Sequence, residues 1–170
     1  NNANTKVTMA GGMLTTFDLA EKGMEGPMHL LDEFSDAVIV WKVGGDSSVI
    51  SSGNYQLYID KLVYLDKEKE LGLDFERVKL FKLQLEGEMR EFVHTSLLSD
   101  TPFEGKTSFL EKIYQEEAGK VSIWRYWFIN EVPPNYNEAM QTGSKNTMLK
   151  RRNQLVLLRD NQWSVNFKLK

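Results

Sequence analysis

The chain has 170 residues, a formal net charge of −3 and no cysteine; 41% of it is hydrophobic, 11% aromatic and 26% charged. These proportions exclude a disordered tail, a collagen-like repeat and a disulfide-stapled miniprotein, and the length is that of one domain hiding about 70% of its unfolded surface. The missing cysteine removes thiolate catalysis, cysteine-ligated zinc and iron–sulfur clusters, the slight acidity argues against non-specific nucleic-acid binding, and no stretch approaches the roughly 20 apolar residues of a membrane-spanning helix.

The polar start, Asn1 to Lys6, lacks the basic-then-apolar pattern of a signal peptide, and a first residue of Asn reads as processed or trimmed. Residues 1–25 are expected to be poorly ordered or to form a short N-terminal strand, with Met13 to Ala20 as the candidate. Residues 26–170 are expected to form a single β-rich domain. Gly23 to Pro27 is a cluster of chain breakers. Ala37 to Val43 is β-branched and aromatic and ends at Gly44-Gly45-Asp46, a strand and its turn. Tyr55 to Ile59 and Leu62 to Leu65 flank Asp60-Lys61, which suits a tight hairpin turn. Asp66 to Glu70 reads as a solvated connection.

In Val78 to Leu85, Phe81, Leu83 and Leu85 alternate with polar residues, while Val78 and Leu80 alternate in the opposite phase. A phase change within one strand predicts a bulge at Leu80-Phe81. Phe92 to Ser96 is the next strand, after the Glu86-Gly87-Glu88 turn. Ser108 to Ala118 is ambiguous. Ser108 and Glu111 fit a capping box, Gly119 suits a helix C-cap, and Phe109/Ile113 and Leu110/Tyr114 are helical pairs, so local pattern gives a short helix; a strand hairpinned to the next segment is the rival.

Val121 to Ile129 is strand-like and apolar on both faces. Val121, Ile123, Trp127 and Ile129 face one way and Trp124, Tyr126 and Phe128 the other, which predicts a central strand or one covered on both sides. Pro133 to Asn146 is a long loop. Leu155 to Leu158 and Trp163 to Leu169 form a closing hairpin through Arg159 to Gln162. Many short strands with hairpin-like turns predict a mostly β fold: an antiparallel sandwich or partly open barrel of hairpins with little helix.

No catalytic constellation stands out. His29 and His94 are the only histidines, with Asp32 the one nearby carboxylate, and metal-ligand spacing is missing. The pairs Asp32/Glu33/Asp36, Glu86/Glu88 and Glu116/Glu117 read as solvated turns. Ser144-Lys145 beside Gly143 lacks P-loop spacing and reads as a loop former. Lys150-Arg151-Arg152, Arg159, Lys168 and Lys170 lie near Trp163 and Phe167, a mimic of a single-strand nucleic-acid platform; a basic edge that blocks sheet-edge pairing is the better account.

Three groups of residues carry a resemblance. They are Gly26-Pro27-Met28-His29-Leu30-Leu31-Asp32-Glu33-Phe34; then Tyr55 to Leu62 with Glu91-Phe92-Val93; then Pro134-Asn135-Tyr136-Asn137, Gly143 to Asn146 and Trp163 to Lys170. In this order they resemble small exported β-rich proteins of the Bacteroidota, a group without an assigned activity. The chain departs from that pattern at Met28-His29-Leu30, where an aromatic is common. The resemblance implies export to the cell envelope, a β-rich fold and a strand at Ser108 to Ala118; it brings no catalytic residues.

The expected function is therefore non-enzymatic, with neither cofactor nor metal. The chain reads as an accessory or interaction protein of a bacterial envelope, a soluble periplasmic or surface subunit docked to an outer-membrane β-barrel or export complex, without nucleic acid or a transmembrane segment. The candidate interaction residues are Trp124, Tyr126 and Phe128, from the aromatic strand, and Pro133, Pro134, Asn135 and Tyr136, from the long loop, because aromatics dominate interface hot spots and long loops carry function. An alternative is a carrier of a small apolar ligand such as a lipid, held in a cavity behind Trp124 and Phe128. A third is a hydrolase using the Asp32/Glu33 or Ser144/Lys145 regions.

Overall fold

The computed structural model describes residues 23–165 apart from 68, 99 and 104. The expected strand at Met13 to Ala20, the loose start, and residues 166–169 of the closing hairpin lie outside the described residues. The chain is mostly β, in one open mixed sheet rather than a two-sheet sandwich.

In chain order the strands are β1 (Met24–Glu25), β2 (Ser35–Trp41), β3 (Ser47–Gln56), β4 (Lys61–Asp66), β5 (Lys69–Gly72), β6 (Val78–Leu85), β7 (Glu88–His94), β8 (Phe109–Gln115), β9 (Val121–Val132), β10 (Thr147–Arg159) and β11 (Gln162–Val165). Across the sheet the order is β1-β10-β9-β8-β7-β6-β2-β3-β4-β5, with β11 also on β10. Every ladder is antiparallel except β1 on β10. Tight turns set most of this: Asp160 and Asn161 both take positive φ between β10 and β11, the backbone a two-residue hairpin demands. Lys67 does the same between β4 and β5, so the stretch expected as a solvated connection is a hairpin whose second strand begins at Lys69.

The phase change in β6 is a bulge: Val40 pairs with Leu80 but Trp41 with Val78, leaving Lys79 as the extra residue, just before the expected position. The helix that local pattern favours at Ser108 to Ala118 is not there. Phe109–Gln115 is a strand between β7 and β9. Its reason is two-sided burial: Phe109 and Leu110, neighbours in sequence, are both buried, one in each of two separate apolar clusters, which a strand allows and a single helix stripe does not. Both capping-box residues are used otherwise. The Ser108 N–H and hydroxyl donate to Asp60 (3.0 and 2.7 Å), and Glu111 is buried among arginines. Asp60 also accepts from the Tyr55 hydroxyl, so this turn residue, at positive φ, fastens the β3–β4 hairpin to the start of β8.

The sheet rolls on itself. Trp127 and Ile129 of β9 pack against the same cluster as Ile39 of β2, Ile50 and Tyr55 of β3 and Leu62 of β4, strands far from β9 in the sheet order. The segment between β1 and β2 ties the two ends together. Asp32 pairs with Arg151 of β10 at 2.6 Å, His29 with Glu70 of β5 at 2.9 Å, and the Leu30 N–H donates to the Tyr55 carbonyl at 2.8 Å. At Gly26 the chain passes so close to the Leu149 carbonyl that a Cβ would collide with it. The inner face carries the main core, in which Phe81 stacks on Phe92 at 4.7 Å and both meet Tyr55 edge-on. On the outer face a smaller cluster of Phe103, Leu110, Trp124 and Val156 is roofed by the β7–β8 connection.

Candidate functional site

Three regions hold chemistry. The first is the aromatic strand β9. It is central, between β8 and β10, and its two apolar faces meet two different covers, as the alternation predicts. Trp124 is 4% exposed and its indole N–H donates to the Ser122 hydroxyl at 2.8 Å. Tyr126 lies against Phe103, 4.9 Å between rings, and stacks on Phe128 at 5.1 Å. Tyr126 and Phe128 are half-buried. Burial, and then the Asp60 charge, push the Tyr126 phenol above its ordinary pKa. Trp124 and its two neighbours thus sit on the outer face with a cover from their own chain, not on the wall of the main core.

The second region is the loop from Pro133 to Asn146. Pro133, Pro134 and Asn135 are exposed, and Tyr136 is half-buried beneath Lys145, whose ammonium stands 4.5 Å from the ring centre. The loop is internally bonded. The Asn135 N–H donates to the Ser144 carbonyl (3.0 Å), and the Asn135 side chain accepts from the Ser144 N–H (2.9 Å). The Asn137 N–H donates to Thr142 (2.8 Å), and its side chain accepts from the Ala139 and Met140 N–H groups, an Asx turn. Gly143 takes φ +91°, with Asn135 so near that a Cβ would strike its carbonyl oxygen. Met140, at the tip, is 73% exposed. Ser144 and Lys145 are bound up in this scaffold: the Ser144 hydroxyl donates to the Asn146 carbonyl at 2.9 Å.

The third region carries no signal that sequence reading used. On the inner face, Glu111 is wholly buried. Its carboxylate accepts from the Trp127 indole (2.7 Å) and from Arg125 (3.3 Å), and faces Arg90 at 3.6 Å. A buried carboxylate is costly unless paired, and these donors are what make its burial tolerable. Both arginine side chains remain 24% exposed. The available signal was Arg125, one charge inside the otherwise apolar row Ile123, Trp127, Ile129.

Three of the other titratable residues singled out from sequence are engaged elsewhere. His29 engages Glu70, and Asp32 engages Arg151. The His94 ring Nδ1 accepts from the Ser96 N–H at 3.1 Å. Lys150 and Arg152 are exposed on the outer face of β10, while Arg151 turns inward. Among the described residues no group of three or more His, Asp or Glu is placed to hold a metal ion, and no helix is long and apolar enough to cross a membrane. No protein-family model, curated protein or solved structure matches this chain.

Proposed function

We propose that the protein is a non-enzymatic interaction module of a bacterial cell envelope, a soluble periplasmic or surface subunit docked on an outer-membrane protein complex through its Pro133 to Asn146 loop. The observation that carries this reading is the loop's combination of exposure and internal order. Its backbone groups are bonded to one another through Asn135, Asn137 and Ser144, and it presents Pro133, Pro134 and Met140 outward. A segment already held in one conformation loses little entropy on binding, and that is how a loop of this length becomes a recognition element rather than a connector. The envelope assignment is supported by the resemblance to exported Bacteroidota proteins.

The test is photo-crosslinking in intact cells of the source bacterium, with a benzophenone amino acid in place of Met140. The control position is Val43, 85% exposed on the β2–β3 turn. One discrete adduct to an outer-membrane protein from position 140 and none from 43 is the expected result. Gly143→Ala, which forces Asn135 aside, should remove that adduct while the protein stays folded. Equal labelling from both positions, or none from 140, would overturn the reading.

A further inference from the structure

The chain has seven methionines, and the structure describes five of them. Three are shielded: the Met24 sulfur accepts from the Tyr58 hydroxyl at 3.7 Å, and Met28 and Met148 are half-buried. Two are open. Met89, on β7, is 56% exposed, and Met140, at the tip of the Pro133 to Asn146 loop, is 73% exposed.

The backbone beneath Met140 is held by groups that take no part in sulfur chemistry. The Asn137 side chain accepts from the Met140 N–H at 3.2 Å and from the Ala139 N–H at 3.0 Å, and the bridge between Asn137 and Thr142 closes the turn from both sides. A change at the Met140 sulfur therefore leaves the loop's shape intact. Met140 belongs to neither apolar cluster. It is the large apolar side chain that the loop presents to solvent, Tyr136 being half-buried beneath Lys145. On the docking reading above, on which this inference rests, it is the side chain that a partner must bury.

We propose that Met140 is an oxidation switch for that docking: the thioether docks and the sulfoxide does not. A peroxide supplies the oxygen. The sulfur lone pair attacks one peroxide oxygen, the S–O bond forms as the O–O bond breaks, and for hydrogen peroxide the second oxygen leaves as water. Sulfur gives up two electrons and the peroxide takes them. Susceptibility follows exposure, which singles out Met140 within the loop. The product carries a polar S=O where the partner meets an apolar sulfur, and burying that acceptor without a donor weakens docking about tenfold or more.

Hydrogen peroxide treatment of the whole protein, followed by peptide mapping in a mass spectrometer, reads the first step: Met140 and Met89 should gain oxygen several-fold faster than Met24, Met28 or Met148. The second step is read with benzophenone at the exposed position of Glu138, which retains Met140. The labelled protein is added to envelope fractions before or after peroxide treatment. Its adduct to an outer-membrane protein should fall about tenfold on oxidation and return after treatment with the two methionine sulfoxide reductases, one for each sulfur epimer. Met140→Leu should dock and be indifferent to peroxide, Met140→Gln should lose the adduct without peroxide, and Met89→Leu should leave the peroxide effect unchanged. Oxidation of Met140 no faster than of the half-buried methionines, an adduct undiminished by oxidation, or a Met140→Leu protein still sensitive to peroxide would each overturn the switch and leave the docking reading standing. No adduct from untreated protein would overturn the docking reading itself, and the switch with it.

Discussion

The two halves of the inner face share one sheet and one side of it, yet they are built by different rules. The β2–β6–β7 half is dry at its centre, where Phe81 stacks on Phe92, and polar groups such as the Tyr55 hydroxyl meet it only at its margin. The β8–β9–β10 half is charged: Glu111 and Arg125, with Arg90 at the neighbouring margin of β7, lie among apolar residues that are only partly buried. The dry half is where apolar burial concentrates, at roughly 1.5–3 kcal/mol for each fully buried large side chain. The charged half adds little net stability, because desolvating its charges offsets what their pairing gains. Apolar burial and charge pairing thus occupy separate sectors of the same surface.

The comparison can be broken most sharply from the dry side. Phe81→Ala removes the ring that stacks on Phe92 and meets Tyr55 and Phe109 edge-on. It should cost about 3–5 kcal/mol in urea unfolding, since neighbours this tightly packed collapse only partly into the space. Glu111→Ala probes the charged side. It strands two guanidiniums, but these are a quarter exposed and can recruit water. The expected loss is about 2 kcal/mol, below the ~3–5 kcal/mol typical of breaking a fully buried pair. A larger loss for Glu111→Ala than for Phe81→Ala would invert the assignment.

The smallest effect is a pH dependence at the boundary of the dry half. Burial, and then the Lys42 charge, hold the His94 imidazole below its ordinary pKa, against the opposing pull of Glu76 and Asp60. As pH falls below about 6.5 the unfolded chain takes up this proton before the folded one does, so stability declines with acidification from there down. The slope from this group stays under the ~1.4 kcal/mol per pH unit of a whole proton. Its contribution is the difference between urea-unfolding curves of the wild type and His94→Gln from pH 7 to 5; identical slopes would remove it.

Much of the fold was legible. The period-2 alternation of β6 and β9 and the turn residues Asp60, Gly87, Asp160 and Asn161 gave strands and hairpins close to where they lie, and even the β6 bulge showed as a phase change. The lower reach of β10 was not placed as strand, because Lys150 to Asn153 is polar and shows no apolar alternation. Those residues are strand because β9 pairs with them along their whole length. The loop at Pro133 to Asn146 was found from its breakers, but its internal bonding was not, since that depends on which amide each asparagine meets. The arginine–glutamate wall was missed because its members come from three strands and meet only across a ladder.

What the amino-acid sequence determined by itself is local: alternation commits a segment to strand, and residues tolerant of positive φ commit the chain to turn. What only the tertiary structure decided is where Ser108 and Glu111 belong. By local chemistry they cap a helix. In the folded sheet Ser108 donates to Asp60, some fifty residues earlier, and Glu111 is clasped by Arg90 and Arg125. A capping box contributes only on the order of 1 kcal/mol, whereas the strand buries Phe109 and Leu110 on opposite faces at once, each in the range given above for a large apolar side chain. Non-local burial outweighs the local preference, and it carries Glu111 to the arginines.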